Sequence, residues 1–289
     1  MSWVRISSGE LSAAIDPFGA ELASLTDAAG RELMTDADPS YWTGRAPLLF
    51  PIVGALADGR YRLDGRDYAM PKHGFARRSA FTPVEVASDR TMFRLTDSPA
   101  THDHYPFAFA LEMSFALAGA TLTMAAALTN PGEASLPASF GYHPSFAWPL
   151  PYGAPRAAHR IDFAADEPGE LLRIDRDGLI APAPRPSPLE GRMLHLADAL
   201  FADDALIWAP VASRSLRYGA EDGPALEIGF DAPMLGIWTK PGARFVCIEP
   251  WWGHADPAGF AGDIRDKPGI MLLAPGETRH FTMRVTLAA

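Results

Sequence analysis

Cysteine is all but missing from this 289-residue chain, in which Cys247 stands alone. One thiol cannot form an internal disulfide, so the fold is not a stapled secreted scaffold and must be held by its core. Cys247 lies in the apolar run Phe245-Val246-Cys247-Ile248 and reads as a buried, inert thiol rather than a nucleophile. Long hydrophobic runs are also missing: nothing approaches the ~20 apolar residues of a membrane span. The stretch from residue 1 to residue 16 has no signal-peptide core. Together these absences predict a cytoplasmic protein that does not engage a membrane. Basic clusters are missing too. Lys and Arg number 25 against 35 Asp and Glu, and the net charge of −10 repels nucleic acid and anionic lipid, leaving a small neutral ligand as the better-fitting partner. No G-x-S-x-G elbow, Walker loop or dinucleotide fingerprint occurs. His102 and His104 stand two apart, but no further ligands follow at recognisable spacing, so no metal site is expected. His159, His195 and His280 read as surface residues.

Helical periodicity is scarce, with at most a turn or two in Leu194–Phe201. The prevailing period is two. Phe107, Phe109, Leu111, Met113, Phe115 and Leu117 alternate with more polar neighbours, and Leu122, Met124, Ala126 and Leu128 resume the pattern after Gly119. Such alternation predicts a hairpin with one buried face. Arg60–Asp67, with Asp64-Gly65 inside it, predicts a second tight turn. Leu226–Phe230, Leu235–Thr239, Phe245–Ile248 and His280–Leu287 read as later strands. The 25 Gly and 27 Pro punctuate the whole length rather than marking one linker, and Leu179–Leu189 reads as the most flexible loop. The expected fold class is all-β: a large antiparallel β-sandwich with few short helices, one domain over residues 1–289, a groove on one sheet and long rim loops.

Four segments break the alternation by setting ionisable and aromatic residues beside Gly and Pro. They are Gly44–Gly54, Lys72–Arg77, Phe140–Phe146 and Cys247–Asp256. Backbone-shaping residues next to titratable ones aim side chains into sites. Glu249 is the sharpest case, a carboxylate that follows four apolar residues and precedes Pro250-Trp251-Trp252; the proline places it at a strand end.

In order and spacing these segments resemble the aldose 1-epimerase family, and within it the branch of the bacterial LacX-type proteins. The resemblance rests on His73-Gly74-Phe75-Ala76-Arg77, Gly141-Tyr142-His143-Pro144-Ser145-Phe146 and Ile248-Glu249-Pro250-Trp251-Trp252-Gly253. It runs from Ile15-Asp16-Pro17-Phe18-Gly19-Ala20-Glu21-Leu22 to the closing Pro275-Gly276-Glu277 turn and the final strand. It implies a galactose mutarotase-like supersandwich and an isomerase interconverting the α and β anomers of a free aldose such as glucose or galactose. That chemistry needs one base for the anomeric hydroxyl and one acid for the ring oxygen, with no metal or organic cofactor. The resemblance assigns Glu249 as base and His143 as acid, expected on opposite sides of the hemiacetal. His73, Arg45, Arg77 and Asp204 are implied as sugar-binding residues, with Asp203 competing for the place of Asp204. Trp238, Trp251 and Trp252 offer apolar faces to a pyranose ring, one of them expected in the core. His254 and Asp256 are candidates for the rim. A hexose 6-phosphate substrate remains an alternative, with Lys72, Arg77 and Arg78 as phosphate partners. A non-catalytic carbohydrate-binding protein has no need of the acid–base pair, and a hydrolase using Glu249 with Asp204 leaves His143 unexplained. The chain is expected to act as a monomer or homodimer.

Overall fold

The computed structural model describes residues 2–289. Its framework is two antiparallel sheets packed face to face. The larger has nine strands, running from Met193–His195 at one edge through Thr278–Ala288 and Thr121–Thr129 to Thr82–Val86 at the other. Ala110–Ala118 and Thr121–Thr129 form the expected hairpin, and their buried and half-buried residues alternate without a break. Strict alternation is what a strand shows when only one face meets a core. The Arg60–Leu63 and Arg66–Ala69 strands meet at Asp64 and Gly65, both left-handed as a tight two-residue hairpin requires.

The smaller sheet holds six strands: Leu206–Trp208, Met234–Trp238, Phe245–Trp252, Phe140–Tyr142 and Leu48–Leu49 in order, with Ser145–Ala147 pairing beside Phe140–Tyr142 on Phe245–Trp252. Its inner face packs on the nine-stranded sheet. Phe140 stacks on Phe281 at 4.7 Å, and the Tyr142 hydroxyl crosses the interface to donate to the Phe281 carbonyl at 2.9 Å. Each fully buried aromatic or aliphatic side chain contributes roughly 1.5–3 kcal/mol here.

Phe245–Trp252 is the central strand, and it extends four residues beyond Ile248, so Glu249 lies inside it rather than at its end. Proline is disfavoured there because it removes a ladder donor. The reason it is tolerated lies next door. Opposite Pro250 the neighbouring chain breaks at Tyr142-His143-Pro144, between the Phe140–Tyr142 and Ser145–Ala147 strands. The strand is also buried on both faces. Val246, Ile248 and Trp252 point into the main core, whereas Phe245, Cys247 and Trp251 point the other way, under covering loops. Trp252 is thus the core tryptophan of the three. No helix of the described residues is long and apolar enough to cross a membrane. His159, which the sequence reads as a surface residue, is buried; its Nε2 accepts from the Leu150 N–H at 3.0 Å.

Candidate active site

The outer face of the six-stranded sheet carries a cavity of about 250 Å³. That is just below the ~300–1,000 Å³ of drug-sized sites, the scale of a single small ring. Its floor is set by strand register. Gly141 pairs with Trp251 and Ser145 with Cys247, so the intervening register places His143 directly across from Glu249. The two side chains meet: His143 Nε2 lies 3.2 Å from Glu249 Oε2, and both residues are buried, at 7% and 1% exposure. The base and acid implied by the resemblance are therefore cross-strand neighbours on one floor, not groups facing each other across a gap.

Burial governs their electrostatics. Desolvation pushes the Glu249 carboxyl well above its ordinary range, with the Asp204 carboxylate adding to the effect and Lys72 opposing it. The Trp251 indole N–H also pulls downward, although neither it nor Glu249 Oε2 finds a hydrogen bond of ordinary geometry. Desolvation, aided by the Arg77 and Lys72 charges and opposed by a backbone hydrogen bond, lowers His143 to about 3. Both shifts penalise charge, so the unliganded pair holds one proton with little separation of charge.

His73 lies behind His143, with ring centroids 5.7 Å apart. Its backbone is left-handed, at φ 67°, and is held there by hydrogen bonds: His73 N–H donates to the Gly54 carbonyl, and Gly54 N–H donates to His73 Nδ1 at 3.1 Å. Because Nδ1 accepts, the remaining proton sits on Nε2. Burial and the neighbouring His143 lower its pKa well below the usual value, so His73 is a neutral donor. Gly74 follows because a Cβ there would lie 2.1 Å from the Phe50 carbonyl oxygen.

Trp251 lies across the sheet over two glycines. A Cβ at Gly236 would meet its ring at 2.5 Å and one at Gly141 at 2.8 Å. Trp238 and Trp42 close one side; Trp42 lies 4.9 Å from His143 and 5.5 Å from Trp238, centroid to centroid. Asp204 lines the cavity and Asp203 does not. Arg77 also lines it, half-buried, donating Nη2 to the Lys72 carbonyl at 3.1 Å while Nε has no protein partner.

Arg45 is not among the lining residues. Its Nη1 donates to the Thr35 carbonyl, and its backbone carbonyl accepts from Ser145 N–H and Oγ. Glu21 Oε1 in turn accepts from the Arg45 and Ala46 N–H groups. Arg45 thus braces the strand beside His143. His254 and Asp256 lie behind the wall rather than on the rim. His254 Nδ1 lies 2.7 Å from the Ala255 carbonyl, and Asp256 pairs with buried Lys267 at 3.6 Å. Asp256 also fastens three segments behind the cavity: it accepts from Ala57 N–H and Ile180 N–H and donates to the Ala55 carbonyl. Ile180, from the stretch the sequence reads as flexible, is buried and lines the cavity with Ile174 and Gly178. Those three, with Trp42, Ala205 and Ile207, are wall residues that sequence reasoning missed. Only Trp42 carries a signal, an aromatic two positions before Gly44.

A cavity on the outer face of an antiparallel sheet, with a dry carboxylate–imidazole pair, a neutral imidazole donor and flat indole faces, defines a class of site suited to proton transfer on a small polar ring. Residues 2–286 match the family model for aldose 1-epimerase, and the chain belongs to that family. The chromosomal LacX protein of Lactococcus lactis subsp. lactis is 29% identical over 295 residues, covering 98% of this chain and 99% of the relative. A galactose mutarotase related enzyme from Lactobacillus acidophilus superposes with a TM-score of 0.92 at 28% identity, over 99% of this chain and 97% of its own. A galactose mutarotase-like protein from Lactobacillus casei gives the same TM-score at 26% identity, over 99% and 100%.

Proposed function

We propose that this chain is an isomerase that interconverts the anomers of a free aldose, with Glu249 and His143 exchanging protons with the hemiacetal. The observation that carries this reading is their 3.2 Å contact at the bottom of the cavity. The anomeric oxygen and the ring oxygen share one carbon, so adjacent groups on one floor can address both. Glu249 takes the anomeric proton as His143 delivers one to the ring oxygen. The C1–O bond to the ring oxygen breaks and an aldehyde forms. After rotation about C1–C2, the ring hydroxyl returns its proton to His143 and attacks the other face of the carbonyl, whose oxygen recovers a proton from Glu249. Each turnover restores the pair, which works best when neither proton state is strongly preferred. Dryness, raising Glu249 and lowering His143, keeps the shared proton on Glu249 in the empty site, so the step begins once that proton has passed across the 3.2 Å contact to His143. His73 Nε2–H donates to a sugar oxygen without competing for the transferred protons.

Asp204 suits a sugar hydroxyl, and Trp238 and Trp251 suit its C–H faces. A second reading, a hexose 6-phosphate, is favoured by one observation: Lys72 and Arg77 both line the cavity. Polarimetry on freshly dissolved α-glucose and α-galactose, beside anomer exchange of their 6-phosphates followed by NMR, tests both readings. Acceleration confined to the neutral sugars supports the first, and acceleration confined to the phosphates the second. If neither class is accelerated, isomerase activity on these sugars is refuted.

A further inference from the structure

The proton-transfer reading leaves one buried group beside the pair without a task. Cys247 stands two residues before Glu249 on the same strand, and a period of two puts both side chains on the cavity face. Its register partner is Ser145, two residues after His143. One ligand atom from each of His143, Cys247 and Glu249 therefore gathers in one place, all within 4.8 Å of one another and all from buried residues. Glu249 Oε2 has no hydrogen-bond partner. His143 and Glu249 line the cavity, so this cluster is reached from solvent through the same opening as the sugar site.

We propose that His143, Cys247 and Glu249 form an inhibitory site for a thiophilic divalent cation of the zinc type, bound in competition with the sugar. A nitrogen, a sulfur and a carboxylate oxygen are a zinc-compatible set, and three protein ligands leave the fourth position open to the cavity. Bonds of ~2.0–2.3 Å in a tetrahedral shell separate ligand atoms by roughly 3.5 Å, so small side-chain rotations close it. Binding releases the thiol proton and the proton held by the His143–Glu249 pair, and no electrons move. Lys72 and Arg77 oppose the incoming charge and Asp204 favours it. The bound ion occupies the lone pairs that proton transfer requires, so occupancy and turnover exclude each other. The binding half of this proposal stands on geometry alone, whereas inhibition rests on the acid–base reading above.

Cobalt(II) titration of the full chain, followed by absorption spectroscopy, tests it, with zinc as competitor. One ion per chain should bind, with a thiolate-to-cobalt charge-transfer band that zinc abolishes. Cys247→Ala should lose that band and weaken zinc binding at least ~10²-fold, more than typically follows loss of an outer-shell partner. It should keep metal-free sugar turnover while becoming resistant to zinc. Cys247→Ser, closer in shape, should give the same spectral loss if the alanine variant folds poorly. No cobalt binding, or binding without the sulfur band, overturns the site. A sulfur-ligated ion that leaves turnover untouched upholds the site and instead overturns the roles given to His143 and Glu249.

Discussion

Replacing Glu249 by glutamine should destroy turnover and at the same time stabilise the fold. The amide keeps the shape of the carboxylate but cannot take a proton, and one positioned proton transfer contributes typically ~10²–10⁴-fold. The stability gain follows from the site's dryness. Glu249 is 1% exposed, Oε2 has no hydrogen-bond partner and the Asp204 charge is close by. A buried polar group left unsatisfied costs about 1–3 kcal/mol, and more when charged. Glutamine escapes the charge penalty, so a gain of about 1–3 kcal/mol is expected at neutral pH. For a chain of this size that is roughly 2–6 °C in Tm. The pH dependence is signed. Because the folded carboxyl titrates above its unfolded value, the native state holds the extra proton across that interval, and wild-type stability falls as pH rises through it. The margin between Glu249→Gln and wild type should therefore widen from about pH 4.5 upward. Calorimetry over a pH series, alongside polarimetry, provides the assay. A variant within tenfold of wild-type turnover, or one that is less stable at pH 7, refutes the reasoning.

Three further outcomes are expected. His143→Asn should lower turnover by at least ~10²-fold. It should also remove a loss of wild-type stability between about pH 6.5 and pH 3, where the unfolded imidazole binds a proton that the buried one at about 3 refuses; acid unfolding curves of the two proteins should diverge there. Lys267→Met should strand Asp256 as an unpaired buried charge at a cost of about 3–5 kcal/mol, recovered in part by adding Asp256→Asn, as urea titration would show. Because burial holds Lys267 at about 8, wild-type stability should gain a rising contribution from that pH up to about 10.5, absent in the methionine variant. Gly236→Ala should push the Trp251 indole off the sheet and raise KM more than it lowers kcat, a split that steady-state kinetics would resolve.

How much of this was legible in sequence depended on how many faces each strand buries. Ala110–Ala118 and Thr121–Thr129 bury one face, so Leu111, Met113 and Phe115 announced both strand and register. Phe245–Trp252 buries both, and a two-faced strand reads as a continuous apolar run in which period two is invisible. Pro250 then truncated the reading at Glu249, because a central-strand proline is ordinarily a contradiction. The covering loops were the least legible part. Ile174 and Ile180 become wall residues only through tertiary contacts such as Ile180 N–H to the Asp256 carbonyl, and no local pattern encodes such a contact.

The break opposite Pro250 explains why this floor can be chemically active at all. In an uninterrupted ladder, neighbouring strands pair their backbone groups and cross-strand side chains pack against one another, which is the arrangement of a core. Here two prolines, Pro144 and Pro250, stand on adjacent chains beside His143 and Glu249, and the ladder resumes in the same register on either side. Each proline removes one ladder donor beside the pair, while Ile248 N–H still donates to the Pro144 carbonyl at 3.2 Å and holds the two strands in register. Glycine at 141 and 236 keeps the Trp251 indole low over the sheet, so the cavity floor beside the pair stays open. The register that brings the pair within 3.2 Å is thus the register of the sheet itself. Its accuracy is set by strands buried on both faces rather than by a loop. Shifting Phe245–Trp252 by one residue would turn Glu249 into the core, where a carboxylate has no partner, and shifting its neighbour would turn His143 away instead. The fold and the site are for that reason specified together.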